Sequence, residues 1–162
     1  MGRRNFLIEG VSSSGKTSVC KELQRRGYQA VNGDSDLAYQ GDPETGVPTP
    51  GRTHENHIWR VETVEALAAN RDEPLTFFCG GSRNFPRFIQ LFDGVFVLDI
   101  DEDTLLRRLD ERPADEFGAT AAERALVIRL HQTKEGIPSG VLIDATQPLS
   151  VVVDQILRLA HG

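Results

Sequence analysis

Apolar residues fall along this chain in two alternating kinds of block. Short, nearly continuous runs, Phe6-Leu7-Ile8, Leu75-Thr76-Phe77-Phe78-Cys79, Val95-Phe96-Val97-Leu98 and Val141-Leu142-Ile143, alternate with longer stretches where apolar residues return every three or four positions. The first kind predicts strands buried on both faces, as in a parallel sheet covered by helices. The second predicts amphipathic helices. Strands are expected over 5–9, 28–31, 75–79, 95–98 and 141–143. A first helix is expected from about 15 to 26, with Gly27 placed to end it. The next, about 57 to 70, carries Ile58, Val61, Val64, Leu67 and Ala68 on one side. A short helix over 84–92 has Pro86 in its first turn. Another, over 101–111, carries Leu105, Leu106 and Leu109. Thr120 and Glu123 form a capping box for a helix to about 134. Pro148 opens a last helix that buries Leu149, Val152, Val153, Ile156 and Leu157. Strands and helices that alternate in this way give a three-layer α/β domain around a five-stranded parallel sheet.

Two stretches break the rhythm. Residues 37–56 hold Pro43, Pro48 and Pro50 with Gly41, Gly46 and Gly51, and have no period of either kind. A loop of that length in a compact domain is often functional, and this one is expected to form the substrate side of a site. Residues 112–119 hold Pro113 and Gly118 and also break the pattern.

Composition narrows the partners. The length of 162 residues fits one domain. A net charge of −6 argues against nucleic acid or an anionic membrane surface, both of which need a broad basic face. No apolar run approaches a membrane span, and the first residues lack a signal-peptide pattern. Cys20 and Cys79 lack metal-site spacing. The expectation is a cytoplasmic protein, monomer or homodimer.

The chemistry begins at Gly10-Val11-Ser12-Ser13-Ser14-Gly15-Lys16-Thr17, which fits G-x-x-x-x-G-K-[ST] at every fixed position, between a strand and a helix. Glycines and small residues let main-chain N–H groups curl around phosphate oxygens, and the helix start adds free N–H groups and a positive dipole end. Lys16 supplies a charge for β and γ phosphates, and Thr17 a hydroxyl for Mg²⁺. Gly10, Ser12, Ser13, Ser14, Gly15, Lys16, Thr17 and Ser18 are therefore expected to hold a nucleoside triphosphate, ATP, with Mg²⁺. The fold expected is that of the P-loop NTPases.

Nearly the whole chain, from about Phe6 to Leu157, resembles the small P-loop kinases: adenylate kinase and its nucleoside and nucleotide kinase relatives, and the shikimate and gluconate kinases. Leu106-Arg107-Arg108-Leu109-Asp110-Glu111-Arg112 is similar to the segment leading into the lid of adenylate kinase. The resemblance implies a short lid over 112–119. It also implies that Arg108 and Arg112 face the nucleotide, and on a helix the two share a face. Ile143-Asp144-Ala145-Thr146-Gln147-Pro148-Leu149 resembles the adenine-binding loop, which implies base recognition by the main chain of Thr146, Gln147 and Pro148. Asn32-Gly33-Asp34-Ser35-Asp36 resembles the Asp-x-Asp of shikimate kinases. It implies that Asp34 holds a Mg²⁺-bound water or the acceptor hydroxyl and that Asp36 holds the acceptor. In Cys79-Gly80-Gly81-Ser82-Arg83, Arg83 matches the arginine that grips an acceptor phosphate in adenylate kinase, although Cys79 stands where that family has Asp. Gly80 and Gly81 are closer to the glycine run of shikimate kinase, where backbone approaches the acceptor. Arg129, and less closely Arg124, match arginines that related kinases bring onto the transferring phosphate.

The resemblance implies an ATP-dependent kinase with Lys16, Asp34, Arg108 and Arg112 as catalytic groups, and Thr17 and Asp34 on the metal. The acceptor expected is a nucleoside or nucleotide, with a sugar acid, a shikimate-like alcohol or an antibiotic as the alternative. A regulatory nucleotide-binding ATPase is the rival from another class. Its guanine-reading form is disfavoured, because Thr133-Lys134 is followed by Glu135-Gly136 where an x-Asp pair is required. His54 and His57 have no third ligand spaced with them, so no metal pair is expected there. Trp59 is expected in the core. Tyr39 and Arg52 stand where they could touch an acceptor.

Overall fold

The computed structural model describes residues 4–11, 14–70, 72–111, 120–134 and 137–162. Strand β1 (Arg4–Gly10) leads into helix α1 (Lys16–Arg25), then β2 (Gln29–Asn32) and a single turn, α2 (Gly33–Asp36). A two-stranded ribbon of β3 (Ala38–Gln40) and β4 (His57–Trp59) follows, then α3 (Val61–Ala69), β5 (Leu75–Cys79), β6 (Gly94–Asp99) and α4 (Glu102–Asp110). The chain closes with α5 (Ala121–Thr133), β7 (Val141–Asp144) and α6 (Leu149–His161).

Five strands form one parallel sheet in the order β2-β5-β1-β6-β7. The continuous apolar runs belong to its central strands, where alternate side chains serve opposite faces. Phe6 and Ile8 of β1, with Phe77 of β5 and Phe96 and Leu98 of β6, pack with Val19 and Leu23 of α1, Leu105 and Leu109 of α4, and Val152, Val153 and Ile156 of α6. Leu7 and Phe78 point the other way, onto Leu37, Trp59, Val64 and Phe88. Each fully buried side chain of this size contributes about 1.5–3 kcal/mol of transfer free energy. The two clusters hold the sheet between its helical layers and fix where its carboxyl edge lies. The register sets Ile8 beside Cys79, Asn32 beside Cys79, and Gly10 beside Leu98, so the ends of β1, β2, β5 and β6 meet at one rim. Ligands of open α/β sheets bind at such a rim.

Three expectations are corrected. The stretch 37–56 is not a featureless loop. Its first residues pair antiparallel with those just after it, Tyr39 with Ile58 and Gln40 with His57, and Gly41 bridges to Pro48. Pairing of strands separated by a long connection leaves no local period to read. The helix expected from 57 starts at Val61 instead. Residues 57–59 are claimed by β4, because the Trp59 main chain is held on both sides by Asn84: its N–H donates to Asn84 Oδ1 at 3.1 Å, and its carbonyl accepts from Asn84 Nδ2 at 2.9 Å. The Trp59 ring is fully buried and stacks on Phe88 at 5.7 Å with planes 3° apart. Lastly, the helix expected over 84–92 is two successive 3₁₀ turns, Phe85–Arg87 and Ile89–Leu91. The other boundaries agree closely. Gly27, at φ 90°, ends α1, and Thr120 caps α5 by accepting the Glu123 N–H. Among the described residues no helix is long and apolar enough to cross a membrane.

Candidate active site

The phosphate loop stands at the carboxyl end of β1. Gly10 has φ 154°, and a side chain there would begin 2.6 Å from Ser14 Oγ and 2.9 Å from the Leu98 carbonyl. Only glycine lets the loop turn so tightly against β6. Gly15, at φ 108°, opens α1. Ser14 is buried, its N–H donates to the Val11 carbonyl, and its Oγ has no partner among the described residues. Lys16 Nζ donates to the Gly10 carbonyl and lies 3.7 Å from Glu9 Oε1, so its ammonium is curled over the loop. Thr17 and Ser18 line the cleft beside it. Ser12 and Ser13 lie outside the described residues.

One cleft of about 1040 Å³ runs through this loop and extends to both sides. On one side it is lined by Arg108, Glu111, Val127, Leu130, Ile137, Ala145, Gln147, Leu149 and Val152, an apolar wall with a few polar groups. Arg108 donates to the Ala145 carbonyl at 3.1 Å, and its Nη1 stands 3.8 Å from where a Gly15 side chain would begin. It thus reaches the phosphate loop from α4, as expected. Arg112 and the lid expected over 112–119 lie outside the described residues. Of the three residues expected to bind adenine, Gln147 lines the cleft, whereas Thr146 and Pro148 do not. The Thr146 N–H and hydroxyl are both spent on Asp144 Oδ1, in a local turn that holds the Asp144 carboxyl below its ordinary value.

The other side is polar. Asp34, Gln40, Arg52, Thr53, His54, His57, Gly81 and Arg83 line it. Asp34 sits on the single turn after β2, and its Oδ1 is 3.0 Å from His57 Nε2. Burial opposes its ionisation, but the His57 hydrogen bond and the Lys16 charge outweigh that and hold the carboxyl below its ordinary value. Arg83 Nη1 and His54 Nε2 are 3.1 Å apart. Burial, with Arg83 beside it, pulls the His54 imidazole down to about 4, so at neutral pH it is uncharged and accepts this bond. The Arg83 N–H donates to the His57 carbonyl at 2.9 Å, which ties the ribbon to the segment after β5.

The paired glycines have distinct roles. A side chain at Gly80, where φ is 139°, would begin 2.8 Å from Asp34 Oδ1 and 3.0 Å from the Trp59 ring. One at Gly81 would begin 2.7 Å from Glu9 Oε1. Each glycine therefore makes room for a carboxylate, and Gly81 alone of the two lines the cleft. Asp36 is exposed at the end of its turn and does not line the cleft, because successive positions of the turn point in different directions. Arg129 is on the exposed face of α5, and its neighbours Val127 and Leu130 line the cleft instead. Arg124 pairs with Asp110 at 2.8 Å. Cys79 is fully in the core against Cys20; their hydrogen bond and burial both push its thiol up, so it is no substitute for a carboxylate.

Hard-oxygen groups suit Mg²⁺, and the Thr17 hydroxyl and Asp34 carboxylate face the same cleft. With phosphate oxygens and water completing the shell, this donor set fits that ion. Among the described residues no three His, Cys, Asp or Glu side chains form a metal site of their own.

A phosphate loop ending the middle strand of a parallel β2-β5-β1-β6-β7 sheet, with a cleft along the carboxyl rim, defines a P-loop NTPase-type domain. The chain belongs to the AAA domain family, whose profile matches residues 7–129. Among solved structures, it resembles shikimate kinase from Acinetobacter baumannii, in complex with shikimate, at a TM-score of 0.63 and 16% identity over 98% of this chain and 93% of that one. A sugar kinase from Janibacter sp. HTCC2649 gives 0.59 at 19% identity, covering 96% of this chain and 93% of that one. Deoxyadenosine kinase from M. mycoides, with bound dATP, gives 0.53 at 12% identity, covering 98% of this chain and all of that one, 100%. At these identities the likeness is one of fold, the fold of the small P-loop kinases. No curated protein matches at the sequence level.

Proposed function

We propose that this chain is a small-molecule kinase that transfers the γ-phosphoryl group of ATP to an alcohol or phosphate acceptor. The observation that carries this reading is the continuity of the cleft: one cavity is lined by Lys16 and Thr17, by Arg108 on its largely apolar wall, and by Asp34 and Arg83 on its polar wall. In this scheme the main-chain amides of residues 10–17 hold the polyphosphate, with Ser12, Ser13 and Ser14 in the loop. Lys16 and Arg108 hold the charge that spreads over the transferring group, and Arg112 joins them from the lid. Thr17 and Asp34 would hold Mg²⁺, which would supply charge neutralisation for the polyphosphate. Asp34 orients the acceptor hydroxyl and takes its proton late in transfer, steadied by His57. Gly81 and Arg83 border the acceptor. Asp36 and Arg129 serve it only if closure brings them in.

A nucleoside or nucleotide is the first acceptor proposed. The second, a sugar acid or shikimate-like alcohol, draws on the wall of Gln40, Arg52, Thr53, His54 and Arg83, whose hydrogen-bonding and cationic groups match hydroxyls and a carboxylate. A coupled ADP-release screen over nucleosides, nucleotides, shikimate, sugar acids and aminoglycoside-like alcohols tests the proposal. Strong stimulation by one acceptor class is expected. Slow turnover indifferent to every acceptor would point to a regulatory ATPase instead.

A further inference from the structure

Glu9 has no part in this scheme, and its position is costly. It lies near the end of an apolar strand at 1% exposure, and a carboxylate there is tolerated only when donors and cations surround it. Its Oε1 accepts the Gly10 N–H at 3.0 Å and lies 3.7 Å from Lys16 Nζ. Its Oε2 has no hydrogen-bond partner among the described residues. Arg83 is a second cation near it. The point where a Gly81 side chain would begin is 2.7 Å and 3.2 Å from the two Glu9 oxygens and 3.1 Å from Arg83 Nη2. The space that a Gly81 side chain would fill thus lies beside both a buried carboxylate and a guanidinium. The two charges lower the cost of each other's burial.

Lys16 cannot serve Glu9 and a polyphosphate at once. Its ammonium now donates to the Gly10 carbonyl beside Glu9. A β or γ phosphate on the loop draws it away and leaves Arg83, beside Gly81, as the cation nearest to Glu9. We propose that Glu9 is a positioning residue that couples the two halves of the cleft, retaining Lys16 in the absence of polyphosphate and pairing with Arg83 once polyphosphate has taken Lys16. Nucleotide binding then draws Arg83 into one place on the acceptor side. The energetic link is a coupling between sites, carried by the choice of cation made by one carboxylate. The inference rests on the nucleotide-binding reading of the phosphate loop.

Two double-mutant cycles on Mg·ATP affinity, measured by calorimetry on the full chain, test it. Glu9→Gln should tighten Mg·ATP roughly fivefold or more, because Lys16 no longer leaves a carboxylate. That gain should vanish in the Lys16→Gln background. Arg83→Gln should weaken Mg·ATP in the native background and have little effect once Glu9 is Gln. Additive free energies in both cycles overturn the proposal. A merely structural Glu9 would lower affinity and melting temperature together in every background, which also overturns it. If the native chain gives no saturable Mg·ATP binding, the phosphate-loop reading fails and takes this inference with it. If the native chain binds and the cycles are additive, the inference fails alone.

Discussion

His57 Nε2 lies 3.0 Å from Asp34 Oδ1, on the polar side of the cleft. The contact joins the single turn after β2 to the ribbon strand β4, and it depends on a pairing that local sequence does not encode. One hydrogen bond to a charged group contributes about 1.5–3 kcal/mol. His57→Ala should therefore slow acceptor phosphorylation about tenfold or more while Mg·ATP affinity stays near the native value. Steady-state kinetics with each substrate varied in turn checks this. An equal loss in Mg·ATP affinity would assign His57 to the nucleotide side.

Asn84 holds the Trp59 main chain through both its N–H and its carbonyl. Asn84→Ala leaves both groups buried and unsatisfied. It should cost about 2–3 kcal/mol, read as a lower denaturant midpoint. An unchanged midpoint would mean that the Trp59 to Phe88 stack alone fixes the base of the ribbon.

Burial raises the Glu9 carboxyl above its ordinary value, and the Lys16 charge, the Gly10 amide and Arg83 pull against that without reversing it. A group raised in the folded state keeps its contribution below the unfolded value of 4.5 and loses it as pH rises through the folded value. Native stability should fall over that rise, whereas Glu9→Gln should lack the step and be the more stable protein at neutral pH. Melting temperatures from pH 4 upwards test this, and parallel curves would contradict it. The gain in stability beside a loss of coupling is the familiar exchange at functional sites.

Gly80 sits at φ 139°, with Asp34 Oδ1 and the Trp59 ring where a side chain would begin. Gly80→Ala should cost about 1–3 kcal/mol in backbone strain and contact. It should also move Asp34, so that acceptor turnover falls further than Mg·ATP affinity. Native turnover in a folded Gly80→Ala protein would remove Asp34 from the acceptor's side.

The phosphate loop and the sheet were legible because both are local. Gly10, Gly15, Lys16 and Thr17 are fixed in spacing by the geometry of one turn into one helix, and the apolar runs of β1, β5 and β6 declare double-sided burial. Arg108 was legible for a similar reason, since its place on α4 follows from helical period and from the resemblance. The polar side of the cleft was not. Gln40, Arg52, Thr53, His54 and His57 reach the cleft on a ribbon whose two strands pair across the intervening turns, and no period marks that pairing. His54 and His57, whose spacing suits no metal site, instead hold Arg83 and Asp34. Glu9 carried a usable signal, an acidic residue near the end of an apolar strand beside the lysine loop, yet Gly81 and Arg83 come to it from the segment after β5, far along the chain. Asp36 and Thr146 show the opposite limit. Their motifs resemble family segments, but one side chain faces solvent and the other is consumed by its own turn with Asp144.

Calorimetric titration of Mg·ATP into the native chain and into Lys16→Ala bears most directly on the whole account. Saturable binding is expected in the native protein, with a loss of about tenfold or more in the variant, the cost of one charge-assisted contact to phosphate, while the variant still unfolds cooperatively as a folded protein. Equal affinity in the two proteins, or no binding to the native chain, would contradict it.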